Sequence, residues 1–369
     1  MHSNSTSGSR LSLNSFFRAL SFKTLVLSTA LIPFSLNASK TNQYNAVVNS
    51  SKLTVVAVSN PSIVFKDGKY KHGFGYDLAH NYAESLNVKL DFKTVPDNAT
   101  ALKMVAQGKA NFAITTASAE KIEDKLLTSF SASCGDFNTL QKNGLNTELN
   151  WVFKQADDPL TATASGFICQ SKQNGSTQQL ASFYNRNVVK QNDWNIIQRD
   201  LNARLPIYKA SFKRSAQQYG LDWHLLAAIG YQESYLKADS VSPTGVRGLM
   251  MLTNGTAKEM GVSNRSDPAQ SIQGGAKYFD MMLSRYSYIR NPDRHWYALV
   301  AYNMGPGAVE SVQKRIKAQG KTPNDWMNMY NYLTRHQASN GRYKQAVQYV
   351  TRIRAYLEHI KSTPKLLEI

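Results

Sequence analysis

Cysteine is almost missing from this 369-residue chain, which holds only Cys134 and Cys169. Two cysteines with no nearby histidine cluster exclude a zinc finger or zinc ribbon, which needs four closely spaced ligands. Acidic residues are scarce too, 25 against 43 Lys and Arg, giving a formal net charge of +18. From Arg204 onward there are 23 Lys and Arg against 11 Asp and Glu, so most of that excess sits in the C-terminal part. A basic surface favours anionic partners such as nucleic acid, an acidic polymer or an anionic membrane face. No standard nucleic-acid motif accompanies the charge, so no nucleic-acid partner is expected. On charge alone, a soluble basic protein without a polyanion partner stays open. No internal repeat or low-complexity array is present, and no stretch after the first 40 residues is apolar enough to span a bilayer.

What is present divides the chain into parts. Arg10, Arg18 and Lys23 precede an apolar run from Leu25 to Leu36, the pattern of an export signal, with Ala38 as the cleavage residue. Residues 1–38 are therefore expected to be a signal peptide. In an exported protein two cysteines are expected to pair, the alternative being two buried thiols. Residues 39–200 are expected to form one domain with its linker, and from Lys52 to about Phe130 strand and helix alternate. LTVVAVS, KLDFKTV and NFAITT are strands, and FGYDLAHNYAESLNV and ATALKMVAQGKA are helices between them. That alternation implies an α/β unit with parallel pairing. The polar segment from Asn185 to Leu201 is expected to bridge to the next part.

Residues 201–369 read as all-α. Their centre is LDWHLLAAIGYQESY, Leu221 to Tyr235. Asp222 can cap the helix, and Leu225, Ile229 and Glu233 then share one face at i, i+4 and i+8. A carboxylate at the inner edge of an apolar face is desolvated, which raises its pKa. A carboxylic acid kept protonated near neutral pH can give a proton to a leaving group. Taken alone, the same residue reads as well as a helix-terminal Glu turned to solvent.

Two resemblances sharpen this. The LTVVAVS strand, GFGYDLAHNYAESLNVKLDF and QGKANFAITTASAEK resemble periplasmic amino-acid-binding proteins over roughly one lobe. Only about 20 residues lie where a full second lobe would be. Lys121 stands where that family places an arginine for a ligand carboxylate. The N-terminal part is thus expected to be a reduced module, with a small ligand left open. The C-terminal half resembles the soluble lytic transglycosylases. The match is carried by Glu233-Ser234 in YQESYL, SPTGVRGLMMLT at 242–253, AYNMG at 301–305, and Tyr349-Val350 with Ile353. The pairing of both parts resembles the F-type membrane-bound branch, which tolerates Met251 where many relatives have Gln.

The resemblance implies a lysozyme-like fold and cleavage of the MurNAc–GlcNAc bond of peptidoglycan without water. Glu233 would act as acid, then as base on the MurNAc 6-hydroxyl, leaving a 1,6-anhydro end. Ser234, Met250, Met251, Tyr302, Asn303 and Tyr349 would bind substrate or tune the glutamate. No cofactor or metal is implied. Periplasmic location with peripheral outer-membrane attachment is implied by the same resemblance. The rivals are a hydrolytic muramidase on the same fold, and a non-catalytic module that binds glycan or senses a peptide.

Overall fold

The computed structural model describes residues 42–60 and 62–368. The export signal and its cleavage residue lie outside the described residues. Thr41–Ile369 form one compact unit. In its first part α1 (Gln43–Ser50) leads into β1 (Lys52–Val58), then a small hairpin of β2 (Phe65–Asp67) and β3 (Tyr70–His72). There follow α2 (Phe74–Ser85), β4 (Lys89–Val95), α3 (Asn98–Ala106), β5 (Phe112–Thr115), α4 (Ala119–Glu123), β6 (Thr128–Ser131), α5 (Phe137–Lys142) and β7 (Asn150–Phe153). The five-stranded sheet has the order β4-β1-β5-β7-β6. Strands β4, β1 and β5 pair in parallel, as the strand–helix alternation predicts. Strands β7 and β6 add an antiparallel edge, so the sheet is mixed.

The hairpin was not legible as strand because each arm is only three residues long. Its turn follows a familiar rule, however. The two turn residues are Gly68 and Lys69, and Gly68 supplies a φ of 55° where a tight turn needs one. Helices α6 (Pro159–Gln173) and α7 (Ser176–Phe183) close this part, and Cys134 and Cys169 form a disulfide that ties the segment after β6 to α6.

The rest is helical, as expected. Helix α8 (Gln191–Tyr219) starts upstream of residue 201, where the all-α part is expected to begin, and runs through Pro206. The segment expected to bridge the parts is itself helical over most of its length. Ile197, Leu201 and Leu205, at i, i+4 and i+8, are all buried and supply its inner stripe. Then come α9 (Trp223–Ser234), α10 (Asn254–Met260), α11 (Pro268–Arg285), α12 (Asp293–Met304), α13 (Pro306–Ala318), α14 (Trp326–His336), α15 (Gly341–Ser362) and α16 (Pro364–Glu368).

One buried cluster runs through both parts. Phe183 at the end of α7 packs edge-on against Trp296 and Trp326 at ring distances of 5.2 and 5.3 Å. Fully buried Arg354 of α15 binds Glu358 at 2.7 Å and the Asn185 carbonyl at 2.6 Å. Arg186 reaches the same carboxylate at 3.1 Å. These contacts fix the α/β part against α12, α14 and α15, the helices around the site.

The disulfide closes a loop with a sequence separation of 35. Removing that constraint from the unfolded chain is expected to cost about 2–4 kcal/mol. Urea unfolding of the double variant Cys134→Ser, Cys169→Ser beside the oxidised protein measures it.

Candidate active site

Helix α9 is built to place one acid. Asp222 caps it with an extended backbone, and its side chain accepts from the His224 amide at 2.9 Å. Residues Leu225 to Tyr231 are all buried, so the helix is a central rod with little freedom to shift. It ends where Tyr235 turns left-handed at φ 55°, its amide bonding back to the Tyr231 carbonyl. Glu233 therefore sits in the last turn, at the negative end of the helix dipole, an unfavourable place for a carboxylate.

Glu233 is half-buried, and burial pushes its carboxyl up to about 7. The Tyr349 hydroxyl of α15 donates to Oε1 at 2.6 Å and pulls the value partly back. No carboxylate neighbour contributes to the shift. Burial and the adjacent glutamate push the Tyr349 phenol well above its usual value, so it remains a donor at any ordinary pH.

A second tyrosine completes this wall. Tyr302 of α12 lies parallel to Tyr349 at a ring distance of 6.4 Å, and its hydroxyl donates to the Met250 carbonyl at 3.0 Å. Tyr278 of α11 stands 5.1 Å from Tyr302. Sequence reasoning missed Tyr278, because nothing in its local pattern separates it from a core aromatic.

The loop after α9 carries Met250 and Met251. Gly248 makes its path achievable. Its φ is 85°, and a Cβ there would lie 1.8 Å from the Arg265 carbonyl oxygen. Met250 is fully buried, its amide held by Ser271 Oγ at 3.0 Å. Met251 is half-buried with φ of 47°. Ser234 is buried, and its hydroxyl faces the carbonyls of Gly230 (3.1 Å) and Leu249 (2.8 Å), which pins the end of α9 to this loop. Asn303 is exposed at the end of α12, and its side chain bonds to no described residue.

The structure thus gathers Glu233, Tyr349, Tyr302 and the Met250 carbonyl at one place. Ser234 supports them from behind, and Asn303 stands at the open end of α12. A protonated carboxyl with a fixed orientation can deliver a proton and then take one back. A separate group, Asp67, His72 and His295, brings metal-ligating atoms together beneath the β2–β3 hairpin.

The raised pKa links to stability with a definite sign. Between about pH 4.5 and 7 the folded protein holds a proton that the unfolded chain has released. Stability therefore falls as pH rises through that window. Relative to wild type, Glu233→Gln is expected to gain up to about 3 kcal/mol between the two ends of the window. Denaturant unfolding of both proteins at each end reads this, and a constant difference would mark Glu233 as an ordinary carboxylate.

Residues 210–324 match the family model described as Transglycosylase SLT domain. That span includes Glu233 and Tyr302 but stops short of Tyr349. The membrane-bound lytic murein transglycosylase F of Stutzerimonas stutzeri (strain A1501) is 36% identical over 294 residues, 76% of this chain and 59% of that protein. Its counterpart in Marinobacter nauticus is 40% identical over 225 residues, 58% of this chain and 45% of that protein. A solved structure of an inactive lytic transglycosylase mutant from Pseudomonas aeruginosa covers 76% of this chain and 48% of that one. Its identity of 18% and TM-score of 0.35 are too low to bear on the fold. The chain spans about half the length of the curated relatives it matches. By these likenesses residues 210–324 resemble a transglycosylase SLT domain, and the chain is similar to membrane-bound lytic murein transglycosylases F.

Proposed function

We propose that this protein is a peptidoglycan lytic transglycosylase that cleaves the β-1,4 bond between MurNAc and GlcNAc. The observation that carries the reading is Glu233, a carboxyl pushed up to about 7, held by one tyrosine and with no carboxylate among the causes of its shift. A two-carboxylate glycosidase would need a second acid close by. A lone acid suits the substrate-assisted route instead.

In that route Glu233 gives its proton to the glycosidic oxygen, and the C1–O bond to GlcNAc breaks. The MurNAc acetamido oxygen covers C1 as positive charge develops. Glu233, now a carboxylate, takes the proton of the 6-hydroxyl while O6 bonds to C1 and displaces the acetamido oxygen. The proton returns to the enzyme and no water is consumed. Tyr349 keeps the acid oriented through both steps. Tyr302, Met250 and Met251 would wall the sugar sites, Asn303 would offer an amide to an acetamido or hydroxyl group, and Ser234 would hold the loop that carries the methionines.

The relatives are named for murein, and the basic C-terminal part suits an anionic glycan strand. Their description as membrane-bound supports a periplasmic, membrane-associated protein. Among the described residues no helix is long and apolar enough to cross a membrane. The proposal includes a signal at residues 1–38, a reduced solute-binding-like part at 39–200, the catalytic part at 201–369, and peripheral attachment to the outer membrane.

Digestion of purified sacculi, with mass analysis of the products, tests the reaction. Wild type is expected to release 1,6-anhydro ends, and Glu233→Gln to lower that rate about 10²–10⁴-fold. Reducing ends would make the protein a hydrolytic muramidase. Tyr349→Phe removes the bond that favours the ionised acid. Its pH–rate profile is therefore expected to extend to higher pH on the basic limb, whereas a purely structural tyrosine would lower the rate without moving the limb.

A further inference from the structure

The β2–β3 hairpin presses Asp67 and His72 against the start of α12, where His295 projects. Asp67 and His72 are 1% and 0% exposed and His295 is 8% exposed. One ligand atom from each residue lies within 4.8 Å of the others. Asp67 Oδ2 contacts His295 Nδ1 directly and lies 3.8 Å from His72 Nε2.

His72 is the anomaly. Its ring is fully buried, stacked on Phe65 at 5.6 Å and beside Trp296 at 4.6 Å. Neither ring nitrogen has a hydrogen-bond partner. Buried polar atoms almost always find one. An imidazole with no partner, a second imidazole and a carboxylate oxygen converging on one point form the donor set of a borderline divalent cation.

We propose that Asp67, His72 and His295 form a divalent-cation site that takes Zn2+. Ligands about 2.0 Å from a tetrahedral ion lie about 3.3 Å apart. An ion there requires the Asp67–His295 contact to open and the 3.8 Å gap to His72 to close to that spacing. A cleft of about 430 Å3, bordered by Asp67, Tyr70, Asp222, Asp280, Arg294 and His295, gives an entry path and room for a water as fourth ligand.

The position makes the site a positioning device. His295 lies seven residues, two helical turns, before Tyr302 on the same face of α12. The hairpin turn also reaches α9, because the Gly68 amide donates to Asp222 Oδ2 at 2.8 Å, and Asp222 caps the helix that ends in Glu233. A bound ion would lock the hairpin to the helix carrying Tyr302, beside its existing bond to the helix carrying Glu233.

The test uses the purified full chain, stripped with chelator, then given Zn2+ and dialysed. Elemental analysis is expected to find one equivalent of zinc, with a melting temperature above that of the stripped protein. Replacing Zn2+ by Co2+ is expected to give the visible absorption of a four-coordinate N/O site, a readout that needs no variant. Asp67→Asn and His295→Ala, checked for folding by circular dichroism, are expected to weaken retention more than tenfold. A wild type that keeps no zinc and melts at an unchanged temperature would overturn the proposal. So would folded variants that still hold one equivalent, which would place the ion on other histidines.

Discussion

The single bond from Tyr349 to Glu233, made in a half-dry pocket at the wrong end of a helix for an anion, is what the rest of the site depends on. Burial and the helix dipole both disfavour the carboxylate, and the phenol restores part of its stability. The balance leaves the acid near neutrality, where it can both give and accept a proton. A glutamate one turn earlier on α9 would be sealed in the core. Four residues later, at the exposed position of Lys237, it would be past the left-handed residue Tyr235 and in water.

Much of the architecture serves to keep that balance. Helix α9 is packed on nearly every side, so its last turn has a fixed direction. Ser234 and Gly248 shape the loop behind it, and the Met250 carbonyl in that loop receives Tyr302. Helices α12 and α15 bring the two tyrosines alongside each other. The α/β part braces these helices through Phe183, Arg354 and the β2–β3 hairpin.

Local signals were legible in the sequence and long-range convergence was not. Asp222 as cap, and the shared face of Leu225, Ile229 and Glu233, follow from helical spacing, and the structure places them so. The parallel pairing of β1, β4 and β5 follows from strand–helix alternation. The antiparallel edge of β6 and β7 did not, since short strands with irregular connections carry little pattern. The length of α8 was masked by its polar surface, although Ile197, Leu201 and Leu205 were present to read. Tyr349 was tied to Glu233 only through family resemblance, because no periodicity links residues 116 apart. The meeting of Asp67 with His295, 228 residues away, had no sequence signal at all.

The most direct test of the central claim is a carbon-13 NMR titration of the Glu233 side-chain carboxyl, assigned by its loss in Glu233→Gln. A midpoint near 7 is expected, moving upward in Tyr349→Phe. A midpoint near the ordinary 4.5, unchanged by loss of the tyrosine, would contradict the account, because the acid would then be ionised when the glycosidic oxygen needs its proton.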